Sequence, residues 1–301
     1  MRLARFSCTG TESHGILEKD RIIDLPLLAK RLKQPFPSTL ESLIQSEGTE
    51  EPRLEHLLQK STQAEIQKAS SSLNRVKLHA PIKTPPKIVC LGLNYRDHAA
   101  EQGVAPPDEP VIFMKPRTAI INPDENVVKP SFVKQLDYEA ELAIVVGKRA
   151  KNISIDDAEA HIFGYTILND VSARDIQFKD KQWTRGKSFD TFAPMGPCIT
   201  LAEQIGDPTS LRVRTWVNKE LRQDSTTGNM VFNVFQILHS LSRVMTLEPC
   251  DVIATGTPAG VGFAMKPEPR FLQDGDVVEI EVEGIGVLRN NVAEEKMAVH
   301  G

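Results

Sequence analysis

The stretch Asp137-Tyr-Glu-Ala-Glu-Leu-Ala-Ile-Val-Val-Gly147 constrains the fold more than any other part of the chain. From Leu142 to Val146 every side chain is apolar, so a strand there buries both faces and needs a packing layer on each side. Two carboxylates stand at its head. Because a strand alternates its side chains, Glu139 and Glu141 share one face, with Cα atoms roughly 6.5 to 7 Å apart. Like charges so placed repel unless a cation lies between them. Solvated glutamates on an open face are the commoner outcome for such a pair, but the buried run that follows places these two at the edge of a core.

A third carboxylate is needed to hold a cation, and Asp170, closing the apolar stretch that begins at Tyr165, is the candidate; alone it would read as a turn residue. Three carboxylates with no histidine nearby favour magnesium or manganese over zinc, and an octahedral ion held this way keeps about three positions for water or substrate.

Asn94-Tyr-Arg-Asp-His98-Ala-Ala-Glu101 follows the expected strand Ile88 to Leu91 and sets His98 and Glu101 three residues apart. On a helix they share a side, where a carboxylate can orient an imidazole as a base, although such a pair also occurs as plain surface chemistry. The segment 94 to 110, with Gly103, Pro106, Pro107 and Pro110, reads as a lid. Lys187 lies among aromatic, Gly and Pro residues, an unusual setting for a surface lysine, and can neutralise an oxyanion. The glycine turn Gly256 to Gly262 follows an expected strand, Asp251 to Thr255. It has no P-loop lysine and no GxGxxG, so nucleotide binding does not follow; its N–H groups and the Thr257 hydroxyl can bind a carboxylate.

The remaining sequence sets the frame. With 36 Lys plus Arg against 40 Asp plus Glu, the formal net charge of -4 has the wrong sign for neutralising a phosphate backbone, so no nucleic-acid partner is expected. No apolar run approaches the roughly 20 residues needed to cross a bilayer, and the opening residues have no apolar core of a signal peptide. The cysteines, at positions 8, 90, 198 and 250, form no CxxC pair, which fits a reducing compartment. The cytoplasm is expected, with the mitochondrial matrix as alternative.

Residues 1 to 75 read as a small α+β domain, with helices beginning near Ser38, where Glu41 has capping-box spacing, and near Pro52. A linker is expected at 75 to 85, where Pro81, Pro85 and Pro86 gather. Residues 76 to 295 read as a strand-rich domain interrupted by helices from about Ser154 and from about Val231 to Met245, and 296 to 301 as a flexible tail. The fold class is α+β with a curled mixed sheet.

Together, Asn94 to Glu101, Asp137 to Gly147, Asn169 to Asp175, Gly186 to Asp190 and Thr255 to Gly262 resemble the fumarylacetoacetate hydrolase family, over residues 80 to 292. The resemblance implies a mixed β-sandwich or β-roll, usually dimeric, with a small N-terminal domain. It implies Mg2+, with Mn2+ or Ca2+ as substitutes, on Glu139, Glu141 and Asp170, a lid dyad of His98 and Glu101, and substrate contacts from Lys187, Arg174, Gln177 and Thr257. Members act on small 2-oxo and 3-oxo acids, and the branch that fits best looks like tautomerases of oxaloacetate; C–C hydrolysis of acylpyruvates and decarboxylation of oxaloacetate are the alternatives. A catalytically silent metal-binding interaction module is the rival outside enzymology.

Overall fold

The apolar run forms the strand Ala140–Val146, with all seven residues buried. The computed structural model describes residues 1–47 and 53–296. On one side this strand pairs antiparallel with Ile162–Asn169, which continues through Ala193–Leu201 to the N-terminal strands Arg2–Cys8, Thr11–Leu17, Arg21–Asp24 and Ser70–Ser72. On the other it pairs antiparallel with Val252–Ala254, which lies parallel to Ile88–Gly92 and so reaches Val111–Lys115. The N-terminal strands therefore extend the sheet that carries the acidic segment. A second sheet runs Glu220–Thr226, Arg212–Val217, Val277–Val282, Gly286–Glu294, Asn126–Lys129.

Both layers required by a two-faced apolar strand are present. Leu142, Ile144 and Val146 belong to a core with Val213, Val217, Val278 and Ile280 of the second sheet and with Ile237 and Leu241 of the helix Val234–Val244. The alternate residues Ala143 and Val145 belong to a second core with Leu25, Leu28, Leu40, Leu43 and Leu57, from the N-terminal helices Leu25–Arg31, Leu40–Glu47 and Arg53–Gln59. The α+β, strand-rich reading holds.

Several local expectations change. The stretch 75 to 85 carries a strand, Val76–His79, paired with Arg2–Cys8; the prolines all lie beyond it, so its amides remain available for the ladder. Ser154 and Asp157 do bond, Asp157 N donating to Ser154 Oγ at 3.1 Å, but only a turn and the 3-10 segment Ala158–His161 follow. The strand starting at Ile162 leaves no length for an α-helix. Thr39, not Ser38, caps the second helix, its Oγ1 accepting from Ser42 N, while Glu41 turns away to accept from Lys83 N. The helix expected from Val231 starts at Val234, because the Asn233 side chain accepts from Phe235 N and Gln236 N and completes a capping box with Gln236. The start expected near Pro52 and, apart from Lys296, the expected tail lie outside the described residues.

Candidate active site

Strand register brings the three carboxylates together. Ala140 pairs with Asn169, which sets Glu139 opposite Asp170 and Glu141 diagonal to it on the same face; Asp170 N also donates to Glu139 O at 2.9 Å. Oxygen atoms of Glu139, Glu141 and Asp170 lie within 4.8 Å of one another, all buried.

Their surroundings differ. Lys187 Nζ bridges Glu139 Oε2 at 2.9 Å and Asp170 Oδ2 at 2.7 Å, and Arg174 reaches Glu139 Oε1 at 2.7 Å. Burial pushes the Glu139 carboxyl up, but Lys187 and Arg174 outweigh it and hold the group at about 2. Lys115, wholly buried, donates to Asp170 Oδ1 at 2.6 Å and to Val171 O at 3.2 Å. Glu141 accepts from Gly256 N at 2.7 Å through Oε2, but its buried Oε1 has no partner among the described residues. Burial first, then Asp170 and Glu139, raise its pKa well above the ordinary carboxylate value. An orphaned carboxylate oxygen beside two more carboxylates, with an all-oxygen donor set, fits a hard divalent cation.

The expected dyad forms on the helix Arg96–Glu101, where His98 Nδ1 lies 2.6 Å from Glu101 Oε1 and Glu101 Oε2 accepts from Gly260 N at 2.8 Å. The carboxylate fixes the imidazole proton on Nδ1, leaving Nε2 as the acceptor, 2.8 Å from Gln102 Nε2. The start of the segment read as a lid is tied to the body: Asn94 bonds Thr255 and Phe232, and Asp97 accepts from Ser225 and Asn229.

A cavity of about 70 Å³ collects six of the expected residues in its walls: His98, Glu139, Arg174, Gln177, Lys187 and Thr257. Larger cavities of about 380 and 470 Å³ lie against the N-terminal helices, but among the described residues no buried charged side chain lines them, so the chemistry marks the smaller space. Arg174 and Gln177 bracket the helix Arg174–Gln177 and bond each other at 2.9 Å; Arg174 Nε also donates to Asp137, and its buried Nη2 has no hydrogen-bond partner among the described residues.

The glycine turn differs from expectation. Its N–H groups do bind carboxylates, but the chain's own: Gly256 binds Glu141, Gly260 binds Glu101, and Gly262 and Phe263 bind Asp137. Gly260 has φ +102°, and a Cβ there would lie 2.1 Å from Arg222 O, so the approach requires glycine. The turn thus binds the acidic segment and the dyad into one unit. Sequence reasoning missed Lys115 and Asp137. Lys115 had a signal: it shares the strand face of buried Phe113 while Met114 between them is exposed, so it lies inward. The Asp137 clamp on Arg174 needs two segments 37 residues apart and had none.

Residues 87–293 match the family model described as fumarylacetoacetate (FAA) hydrolase C-terminal. The chain is 42% identical over 286 residues to oxaloacetate tautomerase YisK of Bacillus subtilis, covering 92% of this chain and 94% of that protein. It is 41% identical over 302 residues to the mitochondrial oxaloacetate tautomerase fahd2 of Xenopus laevis, covering 97% and 90%. A fumarylacetoacetate hydrolase from Exiguobacterium antarcticum superposes with a TM-score of 0.83 at 38% identity, over 98% of this chain and all of that one. Maleylpyruvate hydrolase from Sphingobium sp. SYK-6, solved with manganese(II) and pyruvate, has a TM-score of 0.78 at 31% identity, with the same coverage.

Proposed function

Because the chain belongs to the fumarylacetoacetate hydrolase family, we propose that it is a metal-dependent enzyme of small 2-oxo acids that converts the enol form of oxaloacetate into the keto form. Relatives named for that activity, alike over nine-tenths or more of this chain, support the assignment. The observation that carries it is a cluster of three buried carboxylates suited to a hard cation, one of which, Glu139, lines a small cavity together with an imidazole held by a glutamate.

Glu139, Glu141 and Asp170 would hold magnesium, with manganese or calcium as substitutes. A bound ion supplies Lewis-acid stabilisation of the charge that develops on the substrate's keto oxygen. The remaining work falls to side chains. His98, oriented through Nδ1 by Glu101, supplies Nε2 as the base that takes the enol proton and returns it to C3, with the substrate displacing the Gln102 side chain that bonds Nε2 here. The unpartnered Nη2 of Arg174 is a donor for a substrate carboxylate, and Gln177, Lys187 and Thr257 complete the polar lining. Burial raises the strength of each of these contacts by excluding bulk water. The relationship also supports a homodimer, which light scattering on the eluted protein tests.

The deciding assay follows enol absorbance and total oxaloacetate together in the presence of magnesium. Accelerated loss of enol without loss of compound supports the tautomerase. Release of pyruvate and carbon dioxide would make the protein a decarboxylase, and cleavage of acylpyruvates without any effect on the enol would make it a C–C hydrolase.

A further inference from the structure

Gln223 lies on the strand Glu220–Thr226 of the second sheet and is wholly buried, yet of the four hydrogen bonds its carboxamide makes, three cross to the active-site elements and one stays within the sheet. Oε1 accepts from Thr215 Oγ1 at 2.8 Å and from Ala140 N, the amide between two of the carboxylates, at 3.1 Å. Nε2 donates to Pro258 O and to Thr257 Oγ1, both at 2.8 Å. The orientation of the amide is fixed by chemistry. Ala140 N can only donate and the Pro258 carbonyl can only accept, so the reversed amide would set donor against donor and oxygen against oxygen.

That fixed polarity has a consequence for Thr257. Its oxygen receives an N–H from Gln223, so its own hydrogen is not used in this bond and is left for a different acceptor. Thr257 lines the cavity alongside Lys187 and Arg174. We propose that Gln223 is a positioning residue that commits the Thr257 hydroxyl to donating into the substrate cavity, toward a carboxylate or oxyanion of the bound 2-oxo acid. Gln223 touches no substrate itself. It lets one side chain both anchor the glycine turn to the acidic segment and set the sense of the turn's hydroxyl. The inference rests on the reading of Thr257 as a substrate contact.

The test is a double-variant cycle on the full-length chain with magnesium and oxaloacetate, reading KM and kcat separately. Thr257→Val removes the donor and is expected to raise KM about tenfold or more, the effect of losing a hydrogen bond to a charged group. Gln223→Met is expected to raise KM by a similar factor, because the freed hydroxyl turns to Pro258 O. The double variant should be no worse than Thr257→Val alone, within about twofold. Multiplying KM effects in the double variant, or an unchanged KM in Gln223→Met beside a raised one in Thr257→Val, overturns the proposal and leaves the substrate role of Thr257 standing. An unchanged KM in Thr257→Val overturns that role and the proposal with it. Should Gln223→Met fail to fold, Gln223→Glu keeps the shape and the acceptor for Ala140 N but removes both donors, and the same outcomes apply.

Discussion

Replacing Glu141 by Gln is expected to stabilise the metal-free protein while abolishing the stabilisation that magnesium brings. The side chain is buried, its Oε1 meets no donor among the described residues, and oxygens of Glu139 and Asp170 lie within 4.8 Å. Two unit charges at that separation repel by about 3 kcal/mol at the effective dielectric of ~20 that suits protein sites. The group relieves that repulsion by taking up a proton, which is why its pKa lies well above the ordinary value of 4.5. A neutral amide avoids the repulsion, keeps an acceptor for Gly256 N, and puts an N–H2 where the orphaned oxygen stands. Lys187 and Lys115 already offset part of the field, so the net gain is placed at about 1 to 2 kcal/mol, or roughly 2 to 3 °C in Tm. The sign with pH follows from the raised pKa: the folded chain binds the extra proton, so the penalty is absent well below pH 4.5 and grows above it. The gain from the amide should therefore vanish in acid and increase as pH rises toward 7. Melting curves of both proteins across that range, with and without magnesium, make the comparison. A metal-free variant that melts lower than wild type at pH 7, or one that still gains as much from magnesium, refutes the reasoning.

Replacing His98 by Asn or Glu101 by Gln should lower turnover of enol-oxaloacetate by about 10²- to 10⁴-fold while magnesium affinity, read by titration calorimetry, stays within a fewfold of wild type. His14 is buried with neither ring nitrogen bonded among the described residues, and burial holds its pKa down to about 4, so the unfolded chain takes up a proton first and stability falls as pH drops from about 6.5. The loss by pH 4 should reach about 3 kcal/mol in urea unfolding, and His14→Phe, which can stack on Phe36 in its place, should remove that slope. Removing the cap of the helix Val234–Val244 by Asn233→Ala should cost about 1 kcal/mol of stability, seen as a small fall in Tm with turnover unchanged.

The most legible parts of the sequence were those where one strand or one helix turn decides geometry. His98 and Glu101 share a helix side, and Glu139, one residue before the strand Ala140–Val146, converges with Glu141 of that strand, so both alignments follow from local periodicity. Asp170 was reachable because a carboxylate at the end of an apolar strand has few other places to lie, although its pairing opposite Glu139 depends on register. Contacts decided by several segments left little trace. Gln223 looks like one more polar residue on a half-exposed strand, yet it joins Thr215, Ala140, Thr257 and Pro258. The glycine turn showed its backbone freedom but not its partners, so the carboxylates it binds were expected from a ligand and came from the chain. At Ser154 a correct local bond did not imply a helix, because the following strand claims the residues a helix would need.

The account stands on one divalent cation held by Glu139, Glu141 and Asp170. Crystals grown with manganese and oxalate, with diffraction collected at the manganese absorption edge, locate the ion without assumptions about activity. A single anomalous peak at about 2.0 to 2.3 Å from an oxygen of each of the three carboxylates is the predicted result. Full-strength data with no peak there, and Lys187 bridging Glu139 and Asp170 in its place, would contradict it.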